Sequence, residues 1–164
     1  MKRFLLFFLL LSPFILNAQT SDEEYPTGKV DRDIFFSRTN RDIFEPEYEK
    51  YVPNADAIKY LRSKKGKFKI RMVMGFWCDD SKVYVPRVIK ALDEAKWDTD
   101  DDDQLKIYGV DKNKQAGFDG FKLLNIVKVP TIIVYYNERE IGRIEETPKV
   151  SVEEDLVAIM KSIE

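Results

Sequence analysis

Cys78 is the only cysteine among 164 residues, and the chain contains no histidine. Nucleophilic or redox chemistry at a side-chain thiol therefore runs through one sulfur. Around it stand Trp77, Asp79, Asp80, Ser81 and Lys82, with Pro86 a little further on and Val129-Pro130-Thr131 far downstream. Serine or cysteine catalysis with a histidine base is excluded by composition. One cysteine without histidine also cannot complete a tetrahedral zinc site of the usual kind. Gly66, Gly75, Gly109, Gly117, Gly120 and Gly142 fall in no phosphate-cradling spacing, so neither a metal nor a nucleotide cofactor is expected. What a lone thiol can do is attack a disulfide, or accept a small thiol, and hold the resulting mixed disulfide.

The elements around Cys78 must place it. Phe68 to Phe76 reads as a strand, nearly continuous in Ile70, Met72, Val73 and Met74, as expected of a strand covered on both faces. It runs straight into Trp77-Cys78. From Ser81 the pattern turns helical, with Val85, Val88, Ile89 and Leu92 on one face and Pro86 inside, where it should kink the helix. Leu105 to Val110 predicts a second buried strand, and Gln115 to Leu124 a short, glycine-interrupted helix. Thr131 to Tyr136 is a third strand, rich in β-branched and aromatic residues. Asn137 to Glu140 is turn chemistry, with Ile141 to Ile144 as the hairpin partner. Ser151 and Glu154 form a capping box that opens a last helix, its apolar face being Leu156, Ile159, Met160 and Ile163.

Upstream, Asn54 starts a helix with Ala57, Ile58 and Leu61 as its apolar face and Lys64-Lys65-Gly66 as its end. Before it, Arg32-Asp33-Ile34-Phe35 is echoed nine residues later by Arg41-Asp42-Ile43-Phe44. These are expected to be short extended or turn segments that pin aromatic residues onto the domain. Asp98, Asp100 and Asp102 alternate like the opening of a calcium loop. However, Asp103 stands where that loop needs glycine and Gly109 where it needs glutamate, so a solvated connection is expected.

The first residues carry an export pattern. Lys2 and Arg3 precede the apolar run Phe4 to Leu11, and Leu16-Asn17-Ala18 offers a small-residue cleavage site. The expected organisation is a cleaved signal over 1–18, an N-terminal extension over 19–53 and one domain over 54–164. The product would lie in the periplasm or outside the cell, with no stable membrane span after cleavage. The formal net charge is −2, and −4 without Lys2 and Arg3, which argues against a general nucleic-acid partner. A leftover thiol in an exported chain points to reactivity or to pairing with another molecule.

Trp77-Cys78-Asp79-Asp80-Ser81-Lys82-Val83-Tyr84-Val85-Pro86 resembles the thioredoxin pattern W-C-x-x-C-K-x-x-x-P, with Ser81 in place of the second cysteine. Val129-Pro130-Thr131-Ile132 resembles the same superfamily's cis-proline signature, and the similarity covers roughly residues 54–164. It implies an α/β fold, a thioredoxin-like mixed sheet with helices on both faces. It further implies that Cys78 and Ser81 stand at the catalytic positions, with Trp77, Asp79, Asp80, Val129 and Pro130 lining the substrate groove. Met72 occupies the position where thioredoxins keep a buried acid, so the missing thiol and the missing acid go together. The helix opening favours a thiolate at Cys78, and Ser81 is expected to donate a hydrogen bond to it, while Asp79 and Asp80 oppose the charge. Three functions compete. One is a monothiol redox protein whose partner is a disulfide- or thiol-bearing protein or small thiol. The others are a redox-inactive peptide- or protein-binding module and a structural envelope protein with an incidental thiol.

Overall fold

The computed structural model describes residues 25–163; the expected signal over 1–18 and the start of the extension lie outside them. Five strands form one sheet in the order β1-β3-β2-β4-β5. The strands are β1 (Gly28–Val30), β2 (Lys69–Met74), β3 (Leu105–Gly109), β4 (Thr131–Tyr136) and β5 (Arg139–Glu145). Only β2 and β3 run parallel, and α3 (Asp79–Glu94) is the crossover helix that a parallel pair requires. The remaining pairings are antiparallel. β2 is the central strand, with Met72 opposite Ile107 on one side and Ile132 on the other.

Strand alternation explains why β2 reads as almost unbroken apolar sequence. Ile70, Met72 and Met74 enter the larger core, which also takes side chains from α1 (Arg41–Lys50), α2 (Ala55–Ser63), α3 and α4 (Val152–Lys161). Val73 points the other way, into a smaller cluster with Val110, Ala116, Phe121, Leu124, Val129 and Ile133. That second face is covered by the segment between β3 and β4. Within it, the helix expected over Gln115 to Leu124 shrinks to a single 3-10 turn, Phe121–Leu124, because Gly120 enters with φ 87° and Asn125 leaves with φ 49°.

The N-terminal extension is more regular than its sequence suggests. Gly28–Val30 pairs antiparallel with β3. Gly109 permits the crossing, since a Cβ there would overlap the Pro26 carbonyl oxygen. The first echoed segment, Arg32–Phe36, is a 3-10 turn, within the expected extended or turn character, whereas the second is an α-helix, Arg41–Lys50, that retains Pro46 inside it. Their function in the core matches the echo. Phe35 and Phe44 are both fully buried and pack on Phe76, with ring centroids 5.0 to 5.9 Å apart in the trio. Arg32 then ties the extension to the crossover helix. Its guanidinium donates to both Asp93 oxygens at 3.0 Å and to Thr99, and the Tyr48 hydroxyl donates to Asp93 at 2.8 Å. Burial, followed by the Asp93 carboxylate, pushes the Tyr48 phenol up to about 12.

Asn54 caps α2 by accepting from the Asp56 and Ala57 N–H groups, and Ser151 caps α4 by accepting from Glu154 N–H. The β4–β5 turn is a two-residue one, Asn137 and Glu138 both at positive φ, so β5 starts at Arg139, two residues before the expected Ile141. In the aspartate run, Asp102 pairs with Lys29 and Lys106 and Asp103 with Lys69, while Asp98 and Asp101 accept backbone N–H groups two residues on. The run supplies turns and counter-charges at one end of the sheet.

Two tests probe the attachment of the extension. Glu47 on α1 accepts from Arg87 on α3 and pairs with Lys50. Burial alone would raise its pKa, but the bonds from Lys50 and Arg87 outweigh that and hold it below the ordinary 4.5. With the folded value depressed, the pair stabilises above pH 4.5 and its contribution disappears as pH falls through the lower folded value. Glu47→Gln should cost about 1–2 kcal/mol at pH 7, and the gap to wild type in urea unfolding should close as pH falls through the depressed Glu47 value. A gap independent of pH contradicts the assignment. Gly109→Ala should cost about 1–3 kcal/mol by overpacking, and amide exchange of Lys29 and Val30 should rise as β1 detaches. Unchanged protection there would show that the Pro26 crossing is not the constraint.

Candidate functional site

After Met74 the chain turns tightly: Cys78 N–H donates to the Gly75 carbonyl at 3.0 Å. Gly75 has no room for a side chain, since a Cβ would lie 2.7 Å from the Trp77 indole. Phe76 goes into the aromatic trio, whereas Trp77 stays half-buried and its Nε1 donates to the Val110 carbonyl at 3.0 Å. Cys78 is the N-cap of α3, in extended conformation at φ −90° and ψ 123°. No side chain caps the helix, so its first-turn N–H groups face the cap position, where a sulfur anion would take the place of a cap oxygen.

The Cys78 thiol is partly exposed and donates to the Val129 carbonyl at 3.2 Å. The Val129–Pro130 peptide bond is cis, and both residues are buried. Thr131 starts β4 and fixes the approach by donating its hydroxyl to the Lys128 carbonyl at 2.7 Å. The structure therefore brings Trp77, Cys78, Val129 and Pro130 together across three strand ends.

Ser81, Asp79 and Asp80 stand differently. Ser81 is fully buried beneath the turn, and its oxygen accepts from Gly75 N–H at 3.3 Å. The expected hydroxyl-to-sulfur bond is replaced by these separate partners, Gly75 for Ser81 and Val129 for Cys78. One helical turn places residue 81 on the inward face, which explains the difference. Asp79 is exposed and paired with Lys82 at 2.8 Å, and that hydrogen bond holds its carboxyl below the ordinary range. Asp80 is exposed as well. Met72, six residues before the thiol, is fully buried in the larger core.

Sequence reasoning passed over the wall beside the thiol. Trp77 and Cys78 both pack on the smaller cluster, to which the segment after β3 contributes Ala116, Phe121, Leu124 and half-buried Ile126. The signal was present in Ala116, Phe121 and Leu124, which were read as part of a helix over Gln115 to Leu124. Among the described residues no group of three or more Asp, Glu or Cys side chains converges as metal ligands would, and no helix is long and apolar enough to cross a membrane.

No family model matches the sequence, and no curated protein does. Among solved structures, a Pseudomonas aeruginosa protein of unknown function superposes with a TM-score of 0.59 at 14% identity, over 83% of this chain and 94% of that one. Thioredoxin f2 of Chlamydomonas reinhardtii matches with a TM-score of 0.42 at 18% identity, over 65% of this chain and 87% of that one. Reduced Schistosoma mansoni thioredoxin pre-protein gives 0.40 at 22% identity, over 66% and 90%. At these identities the likeness bears on fold alone. Strand order, the single parallel pair joined by α3, and the cis-proline loop facing the start of that helix make this a thioredoxin-like α/β fold.

Proposed function

We propose that the protein is a monothiol member of the thioredoxin superfamily that captures disulfide-bearing proteins, or small thiols presented as their disulfides, as mixed disulfides through Cys78. The observation that carries this reading is the sulfur's position: partly exposed, at an uncapped helix start, against the carbonyl that precedes a cis-proline. In the step proposed, Cys78 loses its proton to solvent and the thiolate attacks one sulfur of a partner disulfide. A new sulfur–sulfur bond forms as the old one breaks, and the electron pair leaves on the other sulfur, which takes up a proton. Trp77 and Val129 would flank the incoming sulfur, and Asp79 and Asp80 border it from the helix. Ser81 offers no resolving thiol, so an external thiol must release the adduct.

A second reading has its own support. Ser81 and Met72 are buried without ionisable chemistry, which suits a binding module that has left the redox cycle. The compartment proposed is the periplasm or extracellular space, on the strength of the pattern over residues 1–18.

Intact mass after exposure to cystine discriminates the two. Wild type should gain one half-cystine that dithiothreitol removes, and Cys78→Ser should gain none. Ser81→Cys should instead form a reversible internal bond with Cys78 and turn over a protein disulfide with excess dithiol. That turnover should be partial, because Met72 supplies no buried proton acceptor. If Ser81→Cys closes its bond but wild type never takes up half-cystine, the binding-module reading replaces the redox one.

A further inference from the structure

The segment that walls the site differs in surface character from the rest of the molecule. Residues 111–128 hold four lysines against two aspartates in a chain whose net charge is negative. Elsewhere six lysines, Lys29, Lys50, Lys69, Lys82, Lys90 and Lys106, each pair with a carboxylate. Within the segment, Lys128 pairs with Glu146. Lys112, Lys114 and Lys122 pair with no carboxylate among the described residues, and Lys112 instead lies 5.8 Å from the Tyr25 ring centroid. Asp111 is occupied by the Asn113 and Gln115 N–H groups.

Interleaved with these cations are apolar side chains that the fold leaves outside. Phe118 is 42% exposed, Leu123 83% and Val127 68%. Phe118 rests on Phe121, a member of the cluster that Trp77 and Cys78 also touch, and Val127 shares one depression with Lys114, Lys122 and Phe121. Phe118 is held by Tyr108 and Phe121 at ring-centroid distances of 5.2 and 5.5 Å, so the patch has a fixed aromatic base.

We infer that this lysine-rimmed apolar surface docks an acidic stretch of a partner polypeptide, presenting the partner's disulfide to Cys78. The inference rests on the monothiol reading for its chemistry and on charge complementarity for its partner. An apolar patch supplies contact area, and unpaired cations beside it select negative charge and speed encounter. A small thiol would use the sulfur and leave the surface idle. Asp79, on the helix side of the site, is already matched by Lys82, and Asp80 repels acidic chain from that side. The acidic stretch therefore lies over the 112–127 side.

The test uses two peptides that differ only in four glutamates or four lysines flanking one cysteine, each carried as a mixed disulfide with a chromogenic leaving thiol. For the full protein at low salt, the exchange rate with the acidic peptide should exceed that with the basic one by about tenfold. The ratio should shrink several-fold in roughly 0.5 M salt, where surface charges are screened. It should invert in the variant Lys112→Glu/Lys114→Glu/Lys122→Glu, whose changes are on the surface. Taking the ratio within each protein cancels any change in the thiol itself. Equal rates for both peptides, or an undiminished preference in the triple variant, overturn the inference. The acidic peptide with serine for cysteine, followed by fluorescence anisotropy, reads docking without exchange. If it binds wild type and not the triple variant while no peptide exchanges, the surface stands and the redox reading falls; if neither peptide binds, the surface is refuted whatever Cys78 does.

Discussion

Everything at the site depends on β2 being held from both sides. A strand paired in parallel with β3 and antiparallel with β4 brings three chain ends to one rim of the sheet. The ends of β2 and β3 deliver Gly75-Cys78 and Val110, and the start of β4 delivers Val129-Pro130. Each end is then secured by one hydrogen bond to a neighbouring carbonyl: Trp77 to Val110 and Cys78 to Val129. In both bonds the acceptor is a backbone carbonyl and the donor a side chain, so each depends on the identity of Trp77 or Cys78. Side-chain identity also matters where space runs out, at Gly75 under the indole, and where the helix must begin, at Cys78.

The two faces of the sheet divide the labour. Four α-helices and the aromatic trio cover one face and bury most of the large side chains, so that face carries the stability. The other has a small cluster under a loop with a single 3-10 turn. Trp77 and Cys78 belong to the thin side. Fewer apolar contacts hold that loop, so local opening costs less there than in the helical layer. The arrangement puts the thiol beside the more easily opened of the two faces.

Much of this was legible from residues 54–163. The period-two run of β2, the helical spacing of Val85, Val88, Ile89 and Leu92, and the caps Asn54 and Ser151 all act locally, so the chain advertises them. The extension hid its structure for physical reasons. β1 is three residues long and exists through its partner β3, and α1 carries a proline and a largely charged surface. Its stability comes from Phe44 meeting Phe35 and Phe76, and from Arg87 reaching Glu47, contacts between residues distant in sequence. At the site, motif spacing places Cys78 at the helix start but says nothing of which way Ser81 turns. The way α3 packs on the core decides that, by turning Ser81, three positions past the cap, inward.

Burial of Ser81 bears on how a one-thiol site behaves once it has captured a partner. A C-x-x-C site releases its partner from within, because the second thiol attacks the mixed disulfide intramolecularly, at an effective concentration no free thiol matches. Here the corresponding position holds a hydroxyl bonded to Gly75, which makes no such attack. On the proposed reading, the lifetime of the adduct is then set by the supply of external thiol and by how well the bound partner shields the sulfur. Docking and turnover pull against each other: a surface that covers Cys78 more completely captures faster and releases more slowly. Capture of long duration, rather than rapid cycling, is the behaviour this geometry favours.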